Sequence, residues 1–206
     1  MLEAVPKPRM KMKICAVGEE AVGKTSLIHR YVADKYEDDY IRTIGTLISK
    51  KTVELDGNDG DPAVVDAVIW DIMGRKGFMD LLRDAYFYRA NGVFAVLDTT
   101  RKGTLEALHG WLEGVSNAVG TLPIVVLANK EDLKKESDVT KKEVKAFAEH
   151  WDATFFYTSA KTGKGVGDAF EVLIHAAYER AQSARQVTVD ESEEGEKVSA
   201  PDYIGR

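Results

Sequence analysis

The sequence predicts an α/β domain of three layers, a mostly parallel six-stranded sheet with helices on both faces. Three observations point there. Strand-like apolar runs alternate with segments of helical period along most of the chain. Two of the runs, residues 92–97 and 123–128, are short and continuously apolar, as strands covered on both faces are. A glycine-rich stretch, Gly18-Glu19-Glu20-Ala21-Val22-Gly23-Lys24-Thr25, lies between the first apolar run and the first amphipathic segment.

Each element has its own signal. The first strand candidate is the apolar run 12–17, and the first helix is expected over 24–32. A polar stretch, 33–42, leads to two further strand candidates, 47–55 and 63–70. Between those two, Asp56-Gly57-Asn58-Asp59-Gly60-Asp61-Pro62 has strong turn chemistry, so the pair reads as a hairpin. Leu105, Leu108, Leu112, Val115 and Val119 recur at three- and four-residue spacing and form one apolar stripe of a helix. Thr140 precedes Glu143 by three residues, the signature of a capping box, and Val144, Phe147, Ala148 and Trp151 then make a face. The last strand candidate is 154–157, and Phe170, Leu173, Ile174 and Ala177 mark the last helix.

The chain has 206 residues, enough for one domain with a sizeable core. The expected division is a lead-in over 1–10, a domain over 11–185 and an acidic, disordered tail over 186–206, where apolar periodicity stops. The basic cluster Lys7, Arg9, Lys11 and Lys13 reads as a solvated lead-in. A net charge of −6 argues against broad electrostatic binding to nucleic acid or anionic lipid. The single cysteine, Cys15, falls inside the first strand and reads as a buried small hydrophobe of a reducing compartment. There is no run of transmembrane length, no signal-peptide core, no myristoylation pattern after Met1, and no cysteine near Arg206 to prenylate. The expected location is cytoplasmic, with membrane visits only through a partner protein.

The glycine-rich stretch matches G-x-x-x-x-G-K-[ST] in the strand-to-helix context where that pattern is informative. Backbone N–H groups at a helix start have no partners of their own, and the helix dipole favours anions there. Lys24 would reach the β- and γ-phosphates of a nucleotide, and Thr25 would offer its hydroxyl to Mg²⁺. A plain connecting turn would account for the glycines but not for Lys24-Thr25. Asp71-Ile72-Met73-Gly74 follows the 63–70 strand, where the carboxylate can hold Mg²⁺ through water and the glycine amide can sense a γ-phosphate. As an isolated pattern, Asp71 could equally cap a helix. Asn129-Lys130-Glu131-Asp132 ends the 123–128 strand, and ligand groups gather at such carboxyl ends. Asp132 can accept from the N1 and exocyclic amine of guanine, a donor pair that adenine lacks. Ser159-Ala160-Lys161 follows the last strand, where a backbone amide can meet the guanine carbonyl oxygen.

Carried by these four motifs in this order, the chain resembles a Ras-like small GTPase over roughly residues 11–181, with features similar to both the Rab and the Rho branches. The resemblance implies bound GTP or GDP with Mg²⁺ and slow hydrolysis of GTP to GDP. It also implies a switch that effectors read, with GTPase-activating and exchange proteins as regulators. Nucleotide contacts are implied for Gly18 to Thr25, Ser26, Asn129, Lys130, Asp132, Ser159, Ala160 and Lys161. Metal contacts are implied for Thr25, Thr43 and Asp71. Tyr40-Ile41-Arg42-Thr43-Ile44-Gly45 is similar to the first switch segment of the Rab branch. There Thr43 would serve both the metal and the γ-phosphate, Tyr36 would cover the guanine ring, and Tyr40 would cover the phosphates. Lys24, Thr43, Gly74 and the residue after it, Arg75, are the catalytic candidates.

Two departures matter. The family pattern has glutamine where this chain has Arg75, and an arginine cannot accept the hydrogen bond that orients an attacking water. It could instead stabilise charge on the phosphoryl group, as could Arg42. Glu20 stands where a small residue is common near the γ-phosphate; a salt bridge to Arg75 is one reading. These departures leave a second function open, a nucleotide-stabilised scaffold with negligible hydrolysis. A third, an ATP-dependent phosphotransferase, is opposed by Asp132. His29, His109, His150 and His175 read as ordinary helix residues, and Phe78, Tyr86, Phe87 and Tyr88 as core or groove residues.

Overall fold

The computed structural model describes residues 9–36, 43–56, 62–74 and 85–196. Tyr40, Arg42, Arg75, Phe78 and the chain beyond residue 196 lie outside the described residues. Six strands alternate with helices: β1 (Arg9–Val17), α1 (Lys24–Ala33), β2 (Thr46–Asp56), β3 (Pro62–Ile72), β4 (Gly92–Asp98), α2 (Lys102–Val119), β5 (Ile124–Asn129), α3 (Lys141–His150), β6 (Thr154–Tyr157) and α4 (Val166–Glu196). A short 3₁₀ turn, Glu131–Glu136, separates β5 from α3. The sheet order is β2-β3-β1-β4-β5-β6. Only the β2–β3 hairpin is antiparallel; β1 pairs in parallel with both β3 and β4, and β4, β5 and β6 follow in parallel.

Alternation along β1 sends Met12, Ile14 and Ala16 to one face and Cys15 and Val17 to the other, and both faces are buried. The first face packs on α1 and α4, where Phe170 lies between Tyr31 at 4.2 Å and Phe94 at 4.3 Å, ring centre to ring centre. The second packs on α2 and α3 around Leu108, Trp111, Leu112 and Phe147. The continuous run in β4 is buried along its whole length because it lies mid-sheet between these layers. No helix among the described residues is long and apolar enough to cross a membrane.

Three expectations change. β1 starts at Arg9, so Arg9, Lys11 and Lys13 are strand residues and not a solvated lead-in. Arg9 grips Asp66 of β3 with two bonds of 2.9 Å, and Lys13 lies 3.8 Å from the Trp70 ring centre. β3 runs on through Ile72, so Asp71 is a strand residue, in register with Ala16 and with Leu47. α4 continues to Glu196, past the point where the apolar stripe ends. Once a helix is nucleated on a core, each further residue adds a backbone bond without needing a buried face.

The capping box forms as expected. Thr140 N–H donates to Glu143 Oε2 at 2.8 Å, and Glu143 N–H donates back to Thr140 Oγ1 at 3.3 Å. Lys102 at the start of α2 also holds Glu143, at 2.6 Å, and with the capping bonds brings its carboxyl down to about 2.

Candidate functional site

The carboxyl ends of β1, β3, β5 and β6 open on one side of the sheet into a cavity of about 490 Å³. Glu20, Ala21, Gly23, Lys24, Thr25 and Ser26 line one end of it, and Asn129, Lys130, Asp132, Ala160 and Lys161 the other. Tyr36, Thr43 and Gly74 line its sides.

At the first end the backbone turns sharply. Ala21 and Gly23 both have positive φ, and Gly23 caps α1 in the left-handed region at φ 99°. Lys24 folds back over this turn, and its Nζ donates to the Gly18 carbonyl at 2.7 Å and the Glu19 carbonyl at 2.9 Å. Burial is the main reason that its ammonium is pushed down to about 8; Asp71, Glu19 and Glu20 oppose that shift and Arg101 adds to it. A lysine in this condition gains from a polyanion brought beside it.

Next to it three oxygens converge. The Thr25 and Thr43 hydroxyls lie 3.0 Å apart, and both donate to Asp71 Oδ2, that from Thr43 at 3.5 Å. Asp71 is buried, which raises its pKa despite these bonds and Lys24. Its other oxygen, Oδ1, is buried without a hydrogen-bond partner among the described residues. Hard oxygen donors around an unsatisfied carboxylate oxygen are the donor set that Mg²⁺ takes, with waters completing its shell. Gly74 closes in from β3. A Cβ there would lie 2.5–2.6 Å from Gly18 O, Glu19 C and Glu20 N, so only glycine lets the two segments touch.

At the other end Asp132 accepts from the Ser159 hydroxyl at 2.5 Å, and Ser159 in turn accepts from Thr162 N–H at 3.1 Å. Asn129 makes bonds from both ends of its amide. Nδ2 donates to the Val22 carbonyl at 2.8 Å, and Oδ1 accepts from Ala160 N–H at 3.3 Å. Lys130 Nζ lies 2.6 Å from Asp98 Oδ2. Burial opposes charge on Asp98, but bonds from Lys130, Thr100 and Arg101 outweigh it and hold the carboxyl below its usual range.

Several residues named from the sequence lie elsewhere than on the cavity wall. Val22 is in the core, and Ser159 is fully buried beneath Asp132. The Glu19 side chain turns toward α2, where Oε1 accepts from Trp111 Nε1 at 3.3 Å, so what Glu19 offers the cavity end is its backbone. Glu20 lines the cavity, and its carbonyl accepts from Arg101 at 2.9 Å. Arg75, the proposed partner of its carboxylate, is outside the described residues. Sequence reasoning missed His29, Lys35, Ile72, Met73 and Leu133 on the wall, and Arg101 and Trp111 behind the loop. Of the other histidines, His109 accepts from Trp151 Nε1 at 3.1 Å, a packing role between α2 and α3. Phe87 is buried, whereas Tyr88 is exposed.

The chain is similar to known proteins along most of its length. The Ras family profile matches residues 13–179. Ras-related protein Rab-32C of Dictyostelium discoideum is 34% identical over 182 residues, covering 87% of this chain and 79% of its own length. Ras-related protein Rab-21 of Homo sapiens is 32% identical over 190 residues, 92% of this chain and 79% of its own. Ras-related protein Rab-32 of Homo sapiens is 33% identical, covering 87% and 82%.

Proposed function

We propose, on the premise that this chain belongs to the Ras family and is a small GTPase, that it is a magnesium-dependent GTP/GDP switch with slow intrinsic hydrolysis. One observation carries the reading. Lys24, Thr25 and Thr43 at one end of a single cavity, with Asp71 buried behind the two threonines, face Asp132 and the Ala160–Lys161 segment at the other. That layout suits a polyphosphate at the first end and a purine with a donor pair at the second.

In this reading the loop amides before Lys24 bind the phosphates, and Lys24 gains its full charge against them. Thr25, Thr43 and Asp71 would hold Mg²⁺, which would supply charge neutralisation to the phosphate oxygens. Tyr36 borders the base and Asp132 selects guanine. Thr43 and Gly74 sit on two separate segments, so contact of both with a γ-phosphate would order them together and its loss would release them. Exposed Ile44, Leu47 and Ile48 beside Thr43 are apolar side chains through which effectors would read that difference. Exchange and GTPase-activating proteins come with the family reading.

Hydrolysis is slow because Arg75 cannot accept from the attacking water. Single-turnover hydrolysis of GTP with Mg²⁺ tests this: slow turnover is expected in the native chain and a faster rate in Arg75→Gln. Fast native turnover lost in Arg75→Ala would instead assign Arg75 a charge-stabilising role. GTP held with no turnover in either protein would favour the nucleotide-stabilised scaffold.

A further inference from the structure

We infer that Arg30 is a positioning residue for base recognition: from behind the 159–161 loop it sets the direction of the backbone amides and of Asp132, and it ties them to the end of α1. The inference rests on the base-site reading of that end of the cavity. Arg30 lies on α1, with its side chain only 19% exposed. Its Nε donates to the Ala160 carbonyl at 2.9 Å and its Nη2 to the Lys161 carbonyl at 2.9 Å. Its Nη1 donates to Asp34 Oδ1 at 3.0 Å and to the Asp34 carbonyl at 3.3 Å. The stem of the side chain runs under Gly163, where a Cβ would stand 3.6 Å from Arg30 Cδ.

A trans peptide is planar, with its C=O and N–H antiparallel. Holding the Ala160 oxygen therefore turns the Lys161 N–H of the same peptide away from Arg30. Holding the Lys161 oxygen does the same for Thr162 N–H, which donates to Ser159 Oγ at 3.1 Å, and Ser159 donates to Asp132 at 2.5 Å. One guanidinium thus governs both kinds of group available to a guanine, the amides for its carbonyl oxygen and the carboxylate for its donor pair. The rigid fork matters, because a lysine donates from one freely rotating nitrogen and does not fix the directions of two carbonyls as a planar guanidinium does. The third branch reaches Asp34, the left-handed cap at the end of α1, from which the chain departs toward Thr43.

The test compares equilibrium affinities of the full chain for GDP and for 2-aminopurine riboside diphosphate, which keeps the 2-amine but lacks the 6-oxygen and, with it, the N1 proton, so that it forfeits contacts with both the amides and Asp132. The native chain should prefer GDP. Arg30→Gln should cut that preference about tenfold, the size of one lost neutral hydrogen bond, and speed GDP release. Arg30→Lys, which keeps the charge and the stem over Gly163, should restore thermal stability but not the preference, and serves if Arg30→Gln does not fold. Equal weakening of both nucleotides, or an unchanged preference in Arg30→Lys, would overturn the inference and leave Arg30 a structural residue. A native chain with no preference for GDP would instead overturn the base-site reading beneath it.

Discussion

The side-chain amide of Asn129 donates to the carbonyl oxygen of Val22 at 2.8 Å, joining the end of β5 to a loop 107 residues earlier in the chain. The same side chain accepts from Ala160 N–H at 3.3 Å and from the Thr158 hydroxyl at 3.4 Å. The loop of Val22 and the 158–161 loop, which would hold the phosphates and the base, are therefore both fastened to one buried residue at the head of a third, the loop that carries Asp132.

Asn129→Ala should loosen both fastened loops. It strands the Val22 carbonyl and the Ala160 N–H in buried positions, at about 1–3 kcal/mol for each group left unpaired. Urea unfolding should show a lower midpoint at an unchanged slope. GDP release should accelerate as well. An unchanged midpoint would mean that water replaces the amide at no cost.

Gly23→Ala should impair nucleotide binding for two separable reasons. A φ of 99° strains any side-chain-bearing residue, by about 1–3 kcal/mol. The new Cβ would also lie 2.2 Å from Asn129 Nδ2. Only the second cost depends on Asn129. In an Asn129→Ala background Gly23→Ala should therefore cost less than in the native chain, and a double-mutant cycle in unfolding free energy measures the difference. Strict additivity would assign the whole effect to φ.

Lys24 links nucleotide binding to protons. Its folded pKa, lowered to about 8 chiefly by burial, lies below the ordinary 10.5. Between those values the unfolded chain binds more protons than the folded one, so the unliganded protein should gain stability as pH rises through that window. A polyphosphate beside Nζ restores the charge, so binding at pH 9 should take up most of a proton and affinity should fall above pH 8. Calorimetry of GDP binding in two buffers of different ionisation heat reads the uptake. None at pH 9 would place the phosphates away from Lys24.

Asp66 gives the opposite sign. Arg9, Thr52 and Lys50 hold its carboxyl well below its usual range, against the effect of burial. Its stabilising share is present above the unfolded value of 3.8 and lost as pH falls through the folded one. Asp66→Asn should therefore destabilise most at neutral pH, and its gap to the native chain should narrow below pH 4. Denaturant midpoints measured from pH 3 to 7 would show it; a gap independent of pH would mean that packing, not charge, is what the substitution removes.

Most of the fold was legible because its signals are local. The apolar runs of β4 and β5, the stripe of α2 and the capping box at Thr140 each lie within a few residues. The four site motifs are equally local and end where strands end. Arg9 was misread because Arg9, Lys11 and Lys13 look like a basic lead-in. Their alternation with Met10, Met12 and Ile14 was the strand period in plain view. The residues behind the site left no such trace. Arg30 meets Lys161 across 131 positions, Trp111 meets Glu19 across 92, and Arg101 meets Glu20 across 81. Nothing in one sequence links positions so far apart.

The sheet order also sets a timetable for synthesis. β1 leaves the ribosome first, yet its neighbours on either side, β3 and β4, end at Ile72 and Asp98. At roughly 5–20 residues per second the apolar edge of β1 waits several seconds for them. The β2–β3 hairpin, being local, can close within about 1–10 μs of emergence and offer β1 its first partner. The loop after β1 waits longer still, because the side chains that fasten it belong to Arg101, Trp111 and, last, Asn129. A nascent chain that stops short of that residue carries every glycine of the loop and Lys24, but not the last of the clasps that give them their shape. Ligand competence therefore arrives late in translation, and until then the young chain depends on whatever shields β1.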